Sequence, residues 1–221
     1  MAKLFTRIQE TDQYLKLKKE THELTILVEL STEFRKFKIE TTLNFLDHML
    51  YTFSWGACLS IGVVVETGKW RSTHTISEDV GITIGTGLKS FFNRRLKDEG
   101  INITGSSVFG LDESLARAMV NMEGRRNTFF SISDSCPGAK TELVEDMNSQ
   151  DMFAFVEGFC QGFPATVHLD FLKGRDAHHA WESAMHAFGE AIRIAFERNP
   201  WRKASNNPYY AEEGIADAAL G

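Results

Sequence analysis

The run His178-His179-Ala180-Trp181-Glu182 puts two imidazoles and a carboxylate on neighbouring positions of a helical face, because residues three and four apart lie one above the other. Such a face can hold a divalent metal, although a chance histidine pair at a solvated helix start would look the same from this motif alone. A weaker echo about a hundred residues earlier, Thr73-His74-Thr75-Ile76-Ser77-Glu78-Asp79, separates the two readings. Both copies open an apolar, helix-like segment, and His168 stands on a strand-like run just before the second copy. The spacing therefore makes His74, Glu78, His168, His178, His179 and Glu182 candidate metal ligands in a duplicated unit. Neutral imidazole with carboxylate suits manganese, iron or zinc better than calcium or magnesium, and several histidines with open positions point to catalysis over structure.

The elements that must carry these groups are marked by periodicity. Leu24–Leu30 and Phe34–Glu40 are short β-type runs and predict a hairpin; Asn44–Phe53 repeats its apolar residues at helical spacing; Cys58–Val65 is strand-like. From Ser77 onward, Val80, Ile84 and Leu88 recur as in a helix until Gly100. In the second half Val108–Leu111, Arg117–Met122 and Asn127–Ile132 predict strands, 141–163 a long helix, Thr166–Phe171 a strand and Asp176–Arg198 another helix. Strands followed by helices, twice over, predict an α+β fold in which a βα sandwich unit is duplicated and sheets pack on helices. The expected divisions are 1–100, 101–198 and a C-terminal arm, 199–221. His48, on an otherwise apolar helix, fits a satisfied core residue or an exposed one. His22 and His186 stand alone on their elements, and Lys18, Lys19 and the Arg35–Lys38 run read as solvated faces.

Composition narrows the function. A 43% hydrophobic content over 221 residues supports a packed interior, and a net charge of -6 without a basic run argues against a nucleic-acid partner and for a small-molecule one. Cys58, Cys136 and Cys160 are odd in number and lack CxxC spacing, which disfavours a disulfide framework and suits a reducing, cytoplasmic setting. No run approaches the length of apolar chain that a membrane span needs, and the N-terminal stretch has no apolar core of the signal-peptide kind.

Several longer segments carry a resemblance. Thr41–Leu50 (TTLNFLDHML) resembles the TGxxFLDHML segment of the imidazoleglycerol-phosphate dehydratase family. Lys18–Thr21 resembles its T-x-E-T, THTISED its HHTVED, Leu111–Leu115 (LDESL) its MDEAL, and EGRR its SGRP. Lys140–Met147 resembles TELVEEFF, and the run from Val167 to Arg193 resembles its LHI segment with the HHxxE helix. The matches stand in the family's order from about residue 6 to residue 198.

What the resemblance implies is a manganese-dependent carbon–oxygen lyase that dehydrates imidazole glycerol phosphate to the acetol phosphate in histidine biosynthesis. It implies a symmetric homo-oligomer of about 24 subunits, with two manganese sites at subunit contacts. It adds His48 to the ligand set and offers Glu20 and Glu182 as proton-transfer groups, with Glu20 and Arg125 against the substrate. There are departures. The first histidine pair is reduced to one, so that either Thr75 replaces the second ligand or Thr73 replaces the first with Ser77 inserted, and one of the two metal sites is expected to be degraded. The family's phosphate-binding arginine and lysine fall on Ile103 and His186, and its C-terminal STKG is absent. These losses keep open a paralogous lyase or isomerase acting on another azole or polyol, or a non-catalytic metal-binding oligomer.

Overall fold

The computed structural model describes residues 4–69 and 71–203. Five strands, β1 (Phe5–Glu10), β2 (Tyr14–Glu20), β3 (Leu24–Ser31), β4 (Ile39–Glu40) and β5 (Ser60–Thr67), form the first sheet, with α1 (Asn44–Ala57) before β5 and α2 (Thr73–Asp98) after it. The second half contributes β6 (Thr104–Leu111), β7 (Ser114–Asn121), β8 (Asn127–Ile132), a small hairpin β9 (Leu143–Val144) and β10 (Met147–Asn148), α3 (Ser149–Gly162), β11 (Thr166–Lys173) and α4 (Ala177–Ala195).

Duplication is written in the topology. The first sheet runs β1-β2-β3-β5-β4 and the second β6-β7-β11-β8. Apart from the extra edge strand β1, each has two antiparallel pairings followed by one parallel pairing, β4 with β5 and β8 with β11. Alternation explains the faces: Leu15 and Leu17 of β2 and Ile26, Val28 and Leu30 of β3 are buried, as are Val167, Leu169 and Phe171 of β11. Against the first sheet lies α2, and against the second lies α4; α2 also packs on α3, and α4 on α1. Each helix thus meets its own repeat's sheet on one side and a helix of the other repeat on the other. The helices form a middle layer between two sheets.

The helices approach closely. A Cβ added at Gly85 would come within 2.3 Å of the Phe159 carbonyl oxygen, and one at Gly189 within 2.3 Å of that of Phe53. These glycines let the α2–α3 and α1–α4 backbones almost touch, which sets where their first turns meet.

Three expectations change. Phe34–Glu40 does not form a hairpin with Leu24–Leu30: β3 is already flanked by β2 and β5, so only Ile39 and Glu40 pair, in parallel with β5. The predicted helix over 141–163 begins only at Ser149, where the Asn148 side chain caps it by accepting from the Gln150 N–H. The apolar residues Leu143, Val144 and Met147 that extended the helical pattern belong to the β9–β10 hairpin. Lys19 is no solvated face: it is 4% exposed and its Nζ lies 2.5 Å from Asp79 Oδ1. Of the expected C-terminal arm, Pro200–Arg202 form one 3-10 turn, and residues 204–221 lie outside the described residues.

Candidate metal centre

The N-terminal turn of α4 is built by capping. Asp176 accepts from the His179 N–H at 3.1 Å, so His178 and His179 occupy the first helical turn with Glu182 one turn further. The opposite wall is α1, whose own N-cap residue, Leu43, offers no side-chain acceptor. Asp146 of the β9–β10 turn supplies one instead, accepting from the Asn44 and Phe45 N–H groups at 2.7 and 2.9 Å. With α1 so fixed, His48 faces α4.

His48, His178 and Glu182 converge, with one ligand atom from each within 4.8 Å of the others. His48 Nε2 is 3.5 Å from Glu182 Oε1, and His178 Nε2 is 3.5 Å from Glu182 Oε2. The two rings stand 4.9 Å apart, and the Phe45 ring meets His178 edge-on. A separation of 3.5 Å is long for a hydrogen bond, whereas two ligands about 2.1 Å from one tetrahedral ion stand about 3.4 Å apart. The donor set and its spacing fit a borderline divalent cation.

His179 turns elsewhere. Its Nδ1 lies 2.9 Å from Glu113 Oε2 and its Nε2 3.7 Å from Asp112 Oδ2, both residues of the β6–β7 turn. Glu113 also accepts from the N–H groups of Asp176 and Arg175 at 2.9 and 3.2 Å. Those contacts, the Asp176 N–H foremost, hold the Glu113 carboxyl down to about 2, while its hydrogen bond raises the pKa of His179.

The echo on α2 sits in the same local frame. Ser72 caps α2 by accepting from the Thr75 N–H as Asp176 caps α4 by accepting from that of His179. Matching the caps pairs His74 with His178, Thr75 with His179 and Glu78 with Glu182, so within the chain Thr75 stands where α4 has its second histidine. Across from it α3 supplies Asp151, whose Oδ1 is 3.6 Å from His74 Nδ1, and Gln161, which donates to Glu78 Oε1 at 2.9 Å. Asp151 Oδ2 is buried without a hydrogen-bond partner among the described residues. The echo thus repeats the α4 frame with different neighbours.

The remaining candidates lie apart from these within one chain. His168 is exposed on the outer face of the second sheet, stacked on Phe129 with ring centroids 4.8 Å apart. Glu20 ends β2 with its side chain 61% exposed and ion-paired to Lys18 at 2.7 Å. Arg125 is exposed in the loop between β7 and β8; its backbone carbonyl accepts from Thr166 Oγ1, and its guanidinium has no partner among the described residues. Ile103 is buried in the core at φ 57° and cannot offer a substitute phosphate contact. His186 stacks on Phe109 at 3.9 Å, and burial pushes its pKa down against the pull of Glu182 and Glu190. Sequence reasoning passed over Glu113, Glu145 and Asp151 as site residues. The signal available for the first two was only that acidic pairs, Asp112-Glu113 and Glu145-Asp146, interrupt strand-forming runs.

Comparison with known proteins decides the family. A sequence model described as imidazoleglycerol-phosphate dehydratase matches residues 41–192. The chain belongs to the imidazoleglycerol-phosphate dehydratase family. It is 32% identical over 165 residues to the imidazoleglycerol-phosphate dehydratase of Methylococcus capsulatus, covering 74% of this chain and 79% of that protein. It is 32% identical over 196 residues to that of Leuconostoc mesenteroides, covering 86% and 94%. The crystal structure of the Staphylococcus aureus dehydratase superposes with a TM-score of 0.71 at 25% identity, over 84% of this chain and 99% of that one. The Pyrococcus furiosus dehydratase in complex with (S)-C348 gives 0.69 at 26% identity, over 82% and 94%. An enzyme of the dehydratase's hydro-lyase type is thus the family's reading of this chain, and its α+β duplication is shared with solved members.

Proposed function

We propose that the chain dehydrates imidazole glycerol phosphate with manganese as cofactor, in a cytoplasmic homo-oligomer of about 24 subunits whose sites are shared between neighbours. The observation that carries the metal reading is the convergence of His48, His178 and Glu182 with both carboxylate oxygens facing ring nitrogens at 3.5 Å. The incompleteness of each cluster supports sharing: His168, Glu20 and Arg125 are exposed and distant in role from their own chain's trio, so they serve a neighbour's site. His74 and Glu78, with His168 and His179 from across a contact, make the second centre.

A bound divalent ion supplies Lewis acidity that favours the ionised imidazole ring of the substrate, from which the adjacent hydroxyl can leave. The protein's own groups do the rest. His48, His178 and Glu182 would hold that ion and so fix where the ring binds. Glu182 would be a ligand of that ion, which lowers its basicity, so Glu20 is the carboxylate we assign to take the proton from the carbon next to the departing hydroxyl. The resulting enol becomes the ketone by protonation at carbon. Arg125, exposed and with no guanidinium partner among the described residues, receives the phosphate.

A second reading, a paralogous lyase or isomerase on another azole or polyol, is favoured by one observation: Ile103 and His186 provide no fixed cation where the family has two. One experiment separates them. Protein reconstituted with manganese should dehydrate imidazole glycerol phosphate, and Glu182→Gln should lose both the bound metal and the activity, to below a hundredth of the wild-type rate, about 3 kcal/mol or more in transition-state terms. Metal-loaded wild type that leaves this substrate untouched would favour the paralogue, and protein that takes up no divalent metal would remove both readings.

A further inference from the structure

Two tight hairpin turns from different parts of the second repeat reach the first turn of α4, and each brings an adjacent pair of acids. In the β6–β7 turn the pair is Asp112-Glu113, between partners Leu111 and Ser114; in the β9–β10 turn it is Glu145-Asp146, between Val144 and Met147. In both, the first acid has a positive φ, 49° at Asp112 and 51° at Glu145, although neither is glycine. Backbone strain of this kind persists where the surroundings demand it. A two-residue hairpin loop itself asks for positive φ at its first position, and on both sides such a loop carries a glutamate to an imidazole: Glu113 Oε2 lies 2.9 Å from His179 Nδ1, and Glu145 Oε1 lies 3.1 Å from His178 Nδ1.

We propose that Glu113 and Glu145 are positioning residues that set the tautomer of the consecutive histidines, each taking the Nδ1–H so that both rings present an unprotonated Nε2 outward. A carboxylate only accepts, and the nearer carboxylate of each ring is the one at Nδ1, at 3.1 and 2.9 Å against 3.5 and 3.7 Å at Nε2, so a neutral ring carries its hydrogen on Nδ1. The two turns also aim the rings apart. His178 is held with Nε2 toward Glu182 and His48, and His179 with Nε2 toward Asp112, so that neighbouring residues serve two different centres. The inference rests on the metal reading above for its purpose. The tautomers themselves do not depend on it.

The test begins with metal-free, 15N-histidine-labelled protein at about pH 9, where imidazole is neutral. Wild type should show the Nδ1–H tautomer at His178 and His179. Glu145→Leu and Glu113→Leu, which leave no side-chain acceptor for the Nδ1–H, should shift the facing histidine toward the Nε2–H form and leave the distant His22 unchanged. Manganese affinity should fall about 10- to 100-fold in each. Glu145→Gly supplies the readout that a merely structural role would not give: glycine accepts a positive φ without strain, so melting temperature should hold or rise while manganese affinity falls. Unchanged tautomers in both leucine variants, or full manganese affinity in Glu145→Gly, would overturn the proposal. Failure of wild type to bind manganese would count against the metal centre itself, and the metal-free spectra would still decide the positioning.

Discussion

Lys19 shows how much a single buried charge can commit a fold. It projects from β2 into the layer of α2, where Asp79 follows the candidate ligand Glu78 directly, and its Nζ also lies 5.8 Å from the centre of the Phe5 ring. Removing one partner of such a pair leaves the other charged and dry, which costs about 3–5 kcal/mol, while replacing both with apolar residues of similar volume is often neutral. Lys19→Ala should therefore unfold at markedly lower denaturant than wild type, and Lys19→Met combined with Asp79→Leu should recover most of the loss. Equal destabilisation by the single and double changes would mean that the pair is no coupled unit. Because Asp79 is adjacent to Glu78, the single change is also expected to loosen the His74–Glu78 face of α2.

At the scale of elements, the helix crossings decide which residues can meet. Along α2 and α3, Gly81, Gly85, Gly158 and Gly162 each face a backbone carbonyl of the partner helix, and α1 and α4 meet through Gly56 and Gly189 in the same way. Backbone cannot step aside as a flexible side chain can. Gly85→Ala, placing a methyl 2.3 Å from the Phe159 carbonyl oxygen, should cost about 3 kcal/mol in spite of alanine's better helix propensity, a fall in denaturation midpoint readily seen by circular dichroism. A gain in stability would show that the helices part more easily than their packing implies. Gly189→Ala should in addition weaken metal binding, since α1 carries His48 and α4 carries His178 and Glu182.

The whole molecule has an outer surface that suits assembly. Across the second sheet Ser106, Met119, His168 and Phe129 stand in register in one row. Met119 is 43% and Phe129 47% exposed, an apolar strip around the very histidine that its own chain leaves unused. Light scattering should report a particle far larger than a dimer of 24.9 kDa chains, and Phe129→Glu should dissociate it or slow its assembly. A wild-type monomer in solution would mean that His168 never reaches a partner site, and the shared-site reading would have to be given up.

Much of this was legible in the residues themselves. Helical spacing identified α1, α2 and α4, the alternation of β11 was plain, and the repeated histidine–glutamate face was visible at the start of both α2 and α4, because these signals involve residues only two to four apart. The family and its duplicated α+β fold were readable for the same reason, as short motifs in a fixed order. Tertiary structure decided the contacts between distant segments. It brought His48 to His178 and Glu182 by letting glycine-faced helices cross, and it buried Lys19 and Ile103. Through the Ser72 and Asp176 caps it put Thr75 at the position that His179 holds on α4. It also curled Glu113 and Glu145 on strained turns against the two histidines, which no local pattern announces, since a carboxylate at a turn is ordinary until something is packed against it.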